Sequence, residues 1–404
     1  MITTFFPPHH FGGDAIAIRR LCHGLVRRGH EVEVITDVDA WRNLATGPEP
    51  EPLDEPPGLV VHRLRSRFPF AASLLTHQLG RPTVHRRAID RIVREGRFDV
   101  INFHNVSLVG GPGILSVGGQ DPVKLYMAHE HWLVCPTHVL WRHGRERCTS
   151  RECFRCVTHY RRPPQIWRAS GALDRALRHV DEFLAISEFS RKKHREFGFP
   201  RDMTVLPYAL PDREADDRAG EGSAHPRPFF LFVGRLEKIK GLDDVIPAMR
   251  RLPNVDLVIA GNGAWENELR RLAEGLPNVH FLGWVESGAL RAYYRDCLGL
   301  VVPSVCFETF GIILAEAFRD GTPVVARDVG PFPELMRAAG GGELFSDEDQ
   351  LIAAMERLRD EPARREAYGR SARAAWEALW SEEAVIPRYL EIVERVRARK
   401  PSAS

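Results

Sequence analysis

Long apolar runs are missing from this chain. No stretch reaches the roughly 18 residues that a bilayer-crossing helix needs, so nothing in it reads as a membrane span. Cysteine is sparse, at 7 of 404 residues, which excludes a disulfide-dense secreted scaffold. Lysine is scarcer still relative to its partner, since Arg outnumbers Lys 50 to 6. No short internal repeat and no low-complexity tract appears. The segment Met1-Ile2-Thr3-Thr4-Phe5-Phe6-Pro7-Pro8 lacks a basic start followed by an apolar stretch, so no secretory signal is read. The expected location is the cytoplasm. What is present is ordinary for a folded protein: 44% hydrophobic and 27% charged residues, in a length that predicts two domains of about 200 residues each.

The net charge of +2 hides an asymmetry. Positions 1–210 hold 30 basic and 22 acidic residues; the rest hold 26 and 32. Arginines cluster at Arg63, Arg65, Arg67, Arg81, Arg86 and Arg87, and again from Arg142 to Arg168. Such a half is a solvated face in an Arg-rich protein, or a surface for an anionic ligand or an anionic membrane. No nucleic-acid-binding module is recognised, and nucleic acid is not among the expected partners.

Short apolar runs alternate with helical patterns. Strands are predicted at 31–36, 59–64, 98–104, 123–129 and 182–187, with a helix from Ala15 to Arg28 closed by Gly29. The stretch 207–228, rich in proline, glycine and charge, reads as a linker. Alternation restarts with Phe229-Phe230-Leu231-Phe232-Val233-Gly234 and continues at 255–260, 279–282, 299–302 and 323–326. A final helix over roughly 363–399 carries Trp376 and Trp380 near a bend. The fold class is therefore α/β, with two successive doubly wound, Rossmann-like domains. The expected limits are 1–206 for the first domain, 207–228 for the linker, 229–378 for the second domain and 379–404 for the last helix. The strand preceding Phe11-Gly12-Gly13-Asp14 is so short that Met1 lies inside it, which places the expected start of the protein further upstream.

The sharper chemistry is in the second half. After the strand ending at Gly234, Arg235 and Lys240 bring two cations to a loop before a helix starting near Leu242, an arrangement suited to a diphosphate. Further on, Pro303-Ser304-Val305-Cys306-Phe307-Glu308-Thr309-Phe310-Gly311-Ile312 leads a strand into a helix. The backbone N–H groups of Thr309, Phe310, Gly311 and Ile312 are expected to be the open donors of that helix and to hold phosphate, while Glu308 accepts from hydroxyls. Glu316 follows eight residues later, which on one helix brings it back to nearly the same face, about 12 Å along the axis.

Taken together, Gly-Arg-x4-Lys-Gly, Glu-x7-Glu with Phe-Gly after the first Glu, Gly321-Thr322-Pro323 and Gly330-Pro331-Phe332-Pro333-Glu334 resemble the retaining glycosyltransferases of family 4, although Pro331 stands where that family usually has a second glycine. Ala260-Gly261-Asn262-Gly263 and Phe281-Leu282-Gly283-Trp284-Val285 fit as well, and the likeness covers nearly the whole chain. It implies the GT-B arrangement of two Rossmann-like domains with a cleft between them. It implies a UDP- or GDP-linked sugar donor held mainly by the second domain. In that reading Arg235 and Lys240 neutralise the diphosphate, Glu316 binds the ribose, Glu308 the transferred sugar, and the backbone at Gly261 and Val285 the rest of the nucleotide. Gly13 would meet the donor diphosphate. His129, in His129-Glu130-His131-Trp132, resembles the family histidine that orients donor or acceptor, and the last helix would cross back onto the first domain. The acceptor is expected to be a glycan or lipid-linked hydroxyl, with peripheral contact to an anionic inner membrane face.

Cys135, Cys148, Cys153 and Cys156, in a reducing compartment, predict a structural zinc site, with His138, His143 and His159 as spare ligands. No catalytic cofactor is expected. Asp37-Val38-Asp39 matches a metal-binding Asp-x-Asp but reads as a strand-end turn. The rival readings are a phosphorylase or nucleotide-sugar epimerase on the same architecture, distinguished by phosphate-dependent sugar release in the first case, and a non-catalytic sugar-nucleotide binder, distinguished by binding without turnover.

Overall fold

The computed structural model describes residues 1–45, 47–213 and 224–400. These form two compact units, one of Met1–Ala209 with Val385–Ser404, the other of Leu210–Ala384. The first unit carries β1 (Val32–Asp37), β2 (Leu59–Leu64), β3 (Val100–Phe103), β4 (Val123–Ala128), a small hairpin of β5 (Trp141–Arg142) and β6 (Glu146–Arg147), β7 (Glu182–Ala185) and β8 (Thr204–Val205). β1 pairs with β2, and β3, β4, β7 and β8 pair in that order, all parallel. Ile2 bridges Ile35 on one side and Phe103 on the other, so the first residues splice β1 to β3 in one parallel sheet. β4 is buried at every position, as a strand covered on both faces must be.

The first helix, Gly13–Arg27, places Ala15, Ile18, Leu21, Cys22 and Leu25 inside. It ends as the sequence predicts. Gly29 takes the left-handed conformation, its N–H binds the carbonyl of Val26, and that of His30 binds Leu25.

The second unit is a six-stranded parallel sheet of β9 (Phe229–Val233), β10 (Asp256–Ala260), β11 (Val279–Gly283), β12 (Gly299–Val302), β13 (Val324–Arg327) and β14 (Gly342–Phe345). Its order is β11-β10-β9-β12-β13-β14. The direction of winding therefore reverses between β9 and β12. Phe230, Phe232, Leu257 and Ile259 pack with Val245, Ile246, Leu351 and Met355 from the covering helices into one core.

Three expectations need correcting. β14 was not foreseen, because Gly-Glu-Leu-Phe is too short and too polar to announce a strand. The last helix is two helices, Pro362–Leu379 and Glu382–Arg397; the Ser381 hydroxyl accepts from Ala384 N–H at 3.2 Å and starts the second. Within the expected linker, Pro207, Tyr208, Ala209 and Leu210 are buried, and Leu210 pairs with Ser381; residues 214–223 of it lie outside the described residues.

Candidate active site

In a doubly wound sheet, ligands collect at the carboxyl ends of the strands where the winding reverses. In the second unit that point is flanked by the loop after β9, holding Arg235 and Lys240, and the loop after β12, holding Glu308. Backbone contact locks the two loops together. The N–H of Val305 binds the carbonyl of Ile239 at 2.9 Å. Gly241 has φ +75°, and a Cβ there would lie 2.1 Å from the carbonyl oxygen of Pro303. Only glycine permits that approach.

The locked loops bring Lys240 Nζ to 2.6 Å from Glu308 Oε1. Ser304 Oγ donates to the same oxygen at 3.1 Å. Burial acts to lower the pKa of Lys240, but the adjacent Glu308 carboxylate outweighs it and holds the ammonium above its ordinary value. Burial likewise acts to raise Glu308, but Lys240 and the Ser304 hydroxyl hold it below the usual carboxylate range. Both side chains are about one-fifth exposed, at 21% and 22%, so this is a charged pair that a ligand can still reach. Arg235 lies further out, 55% exposed and paired with Glu237 at 2.8 Å.

The neighbouring loops frame the pair. Gly261, after β10, has φ +139°, and a Cβ there would lie 1.9 Å from the Gly234 carbonyl oxygen; its N–H binds Gly283 at 2.7 Å. Val285 follows the end of β11, beside Trp284, which is 70% exposed. Gly330, after β13, approaches the backbone of Glu308. Of the expected donor residues, Arg235, Lys240, Gly261, Val285, Glu308, Thr309, Phe310, Gly311 and Ile312 thus follow the carboxyl ends of strands of one sheet, whereas Gly13 belongs to the first unit and Glu316 to the helix Ile312–Arg319.

The helical geometry assumed for the two carboxylates does not hold. The helix is Ile312–Arg319, and Gly311 before it is left-handed at φ +90°. Glu308, Thr309, Phe310 and Gly311 are therefore loop, and only Ile312 among the expected amide donors is in the helix. A Cβ at Gly311 would meet the Phe332 ring at 2.8 Å, so the left-handed turn there has room for glycine alone. Glu316 does lie in the helix, where its Oε2 accepts from the buried Tyr294 hydroxyl at 3.2 Å.

In the first unit, Gly13 is exposed at the start of the helix it opens. His129 follows β4 and is 5% exposed. Its Nε2 is 2.8 Å from His104 Nδ1, and its Nδ1 is 2.9 Å from the Tyr208 hydroxyl. Burial lowers its pKa to about 4, against the opposing pull of Asp14, so the ring is neutral near pH 7. This relay was missed. His104 was legible as a polar strand end; Tyr208, 79 residues from His129, left no local signal.

No three of the sulfurs of Cys135, Cys148, Cys153 and Cys156 lie within 4.8 Å of one another, although Cys148 and Cys153 stand near enough to Cys135 for their charges to interact. Among the described residues, the groups whose donor atoms crowd within 4.8 Å are His225, Asp256 and His280, and Asp37, Asp39 and His85. Cys135 Sγ instead lies 3.3 Å from the Thr137 hydroxyl, Cys148 donates to the Ser150 carbonyl, and Cys156 to that of Trp141. All seven cysteines are free thiols. Of the spare ligands, His138 binds Glu130 at 2.7 Å. In the Asp-x-Asp turn, Asp37 caps the helix Val38–Leu44 through Ala40 N–H, while Asp39 accepts from Ser66 N–H and faces His85 at 3.0 Å.

Comparison with known proteins agrees with this geometry. Residues 213–375 match the family described as glycosyl transferases group 1, and residues 11–212 match glycosyltransferase family 4. An uncharacterized glycosyltransferase of Methanocaldococcus jannaschii is 28% identical over 83% of this chain and 82% of its own length. A GDP-mannose-dependent monoacylated alpha-(1-6)-phosphatidylinositol monomannoside mannosyltransferase of Corynebacterium glutamicum is 33% identical over 53% of this chain and 62% of that protein. Among solved structures, sucrose-phosphate synthase from Thermosynechococcus elongatus superposes with a TM-score of 0.70 at 20% identity, covering 99% of this chain and 98% of that one.

Proposed function

We propose, from the premise that this chain belongs to the family 4 glycosyltransferases and uses a nucleotide sugar, that it transfers the sugar with retention of configuration to a hydroxyl of a lipid-linked or surface-glycan acceptor. The carrying observation is the Lys240–Glu308 pair at the point where the second sheet reverses its winding. A nucleotide diphosphate leaves as an anion, and a fixed ammonium beside it stabilises the charge that develops as the glycosidic bond breaks. Glu308 sets Lys240 in place and offers its carboxylate to the hydroxyls of the sugar being transferred. Arg235 adds a second, more mobile cation, and Glu316 serves the ribose. In this reading His129 orients the acceptor side as a neutral ring, with His104 and Tyr208 fixing its plane.

Two features support a lipid-linked acceptor. The C. glutamicum relative is named for one. In this chain, the helix Pro69–Leu79 and its approach leave Phe68 and Phe70 71% and 70% exposed, with Leu74, Leu75 and Leu79 also in solvent. Arg65, Arg67 and Arg81 flank them, also exposed. Apolar side chains ringed by arginine are what an anionic membrane surface binds.

The test is a panel of UDP- and GDP-linked sugars incubated with short glycan and lipid acceptors, read by mass spectrometry. The anomeric configuration of the product is then assigned by NMR. Transfer with the donor's configuration supports the reading. Inverted product would remove the retaining assignment, and nucleotide binding without turnover would favour a non-catalytic binder.

A further inference from the structure

We propose that His225, Asp256 and His280 form a binding site for one divalent transition-metal ion of the zinc type, at the end of the second sheet opposite the Lys240–Glu308 pair. Asp256 opens β10 and pairs with Phe229, which opens β9. His280 stands in β11 opposite Val258. Side chains alternate along a strand, so Asp256 and Val258 share a face, and His280 joins them on it. His225 enters from the segment before β9, its ring resting edge-on against Phe229 at 5.3 Å.

The result is a convergence. His225 Nε2 lies 2.7 Å and His280 Nε2 3.0 Å from the same oxygen, Asp256 Oδ2. All three donor atoms fall within 4.8 Å of one another. Two imidazoles and a carboxylate are a donor set of zinc and of other divalent transition ions, with remaining positions left to water. The carboxylate is also enclosed, with one cation beside it. It is 2% exposed, and Arg227 lies 3.0 Å from its other oxygen, Oδ1. The guanidinium stands beside Oδ1 as an ion pair, while Oδ2 faces both imidazoles. His280 is 38% exposed, which gives an ion a way in, while His225 at 12% gives it a wall. The competing account is a carboxylate that simply accepts two ring N–H groups. A metal held by the two Nε2 atoms requires each neutral ring to carry its one proton on Nδ1 instead, so the two accounts differ in whether the site takes up an ion.

Bound there, the ion would tie residue 225 to the sheet and order the entry into β9. It takes no part in transfer. The experiment uses the full chain, stripped with a chelator and titrated with Co²⁺ followed by absorbance. One equivalent is expected to bind without the near-ultraviolet band that cysteine ligation produces, which separates this site from the cysteine quartet. His280→Gln is expected to weaken that uptake by roughly tenfold or more while leaving the circular dichroism spectrum unchanged. Cys148→Ser is expected to leave it alone. Equal uptake by the parent protein and His280→Gln, or cobalt bound solely with a thiolate band, overturns the proposal. Since Lys240 and Glu308 lie at the other end of the strands, neither result bears on the transferase reading.

Discussion

At the scale of single residues, Lys240 is the most consequential side chain. It is one of few lysines in an arginine-dominated chain, and it sits 2.6 Å from Glu308. Truncating it strands a partly buried carboxylate and, in the proposed reading, removes the charge that steadies the leaving group. Lys240→Ala is therefore expected to lower kcat by roughly 100- to 1000-fold, with a smaller change in donor KM. Steady-state kinetics on the donor that turns over checks this, and an unchanged kcat would remove Lys240 from the machinery. Most such residues were legible because their chemistry is local: Arg235, Lys240 and Glu308 stand in loops that directly follow apolar strands. Ser304 and Tyr294, which fix Glu308 and Glu316, were not, since an ordinary hydroxyl residue acquires its role only from what folds against it.

At the scale of elements, the contact between the loops after β9 and β12 decides whether the charged pair exists. Gly241 and Gly275 have the same φ, +75°, but only Gly241 has backbone where a Cβ would go; Gly275 has nothing within 4 Å. Alanine at each position therefore separates conformational strain from collision. Gly241→Ala is expected to cost about 1–3 kcal/mol more than Gly275→Ala in chemical denaturation and to reduce transfer as the loops part. Equal losses would mean that the loops yield freely. Ten of the described strands were readable from their apolar runs, to within a residue or two at each end, whereas the two-residue β5, β6 and β8 and the polar β14 were not. The helix boundaries at Ile312 and Ser381 were not, because the first rests on the left-handed turn at Gly311 and the second on a single serine, directly after the buried Trp380, whose hydroxyl caps the next helix.

At the scale of the whole molecule, two properties follow from composition. The first unit buries several neutral histidines. Burial lowers His129 and His194 to about 4, and His104 and His131 well below the ordinary value. The unfolded chain binds these protons near pH 6.5 and the folded one does not. The stabilisation is thus complete above about pH 6.5 and is lost as the pH falls toward 4, at up to roughly 3 kcal/mol for His194 alone. Denaturation midpoints measured from pH 7 to pH 4 should fall steadily, and a flat profile would contradict the buried neutral rings. The arginine-rich first unit makes the other forecast. The protein should sediment with anionic vesicles at low salt, and replacing Phe68 and Phe70 by serine should abolish the part of that binding which survives high salt. No described helix is long and apolar enough to cross a membrane. One last feature governs what this scaffold can become. β9, β10 and β11 run out into Gly234, Gly261 and Gly283, and the approach of Gly261 to Gly234 leaves no room for a side chain. In the proposed reading this bare peptide lies beneath the donor and gives a point mutation no side chain to alter. On that reading, exchanging Trp284–Val285 and Thr309–Ile312, the stretches that flank it, is expected to change donor preference.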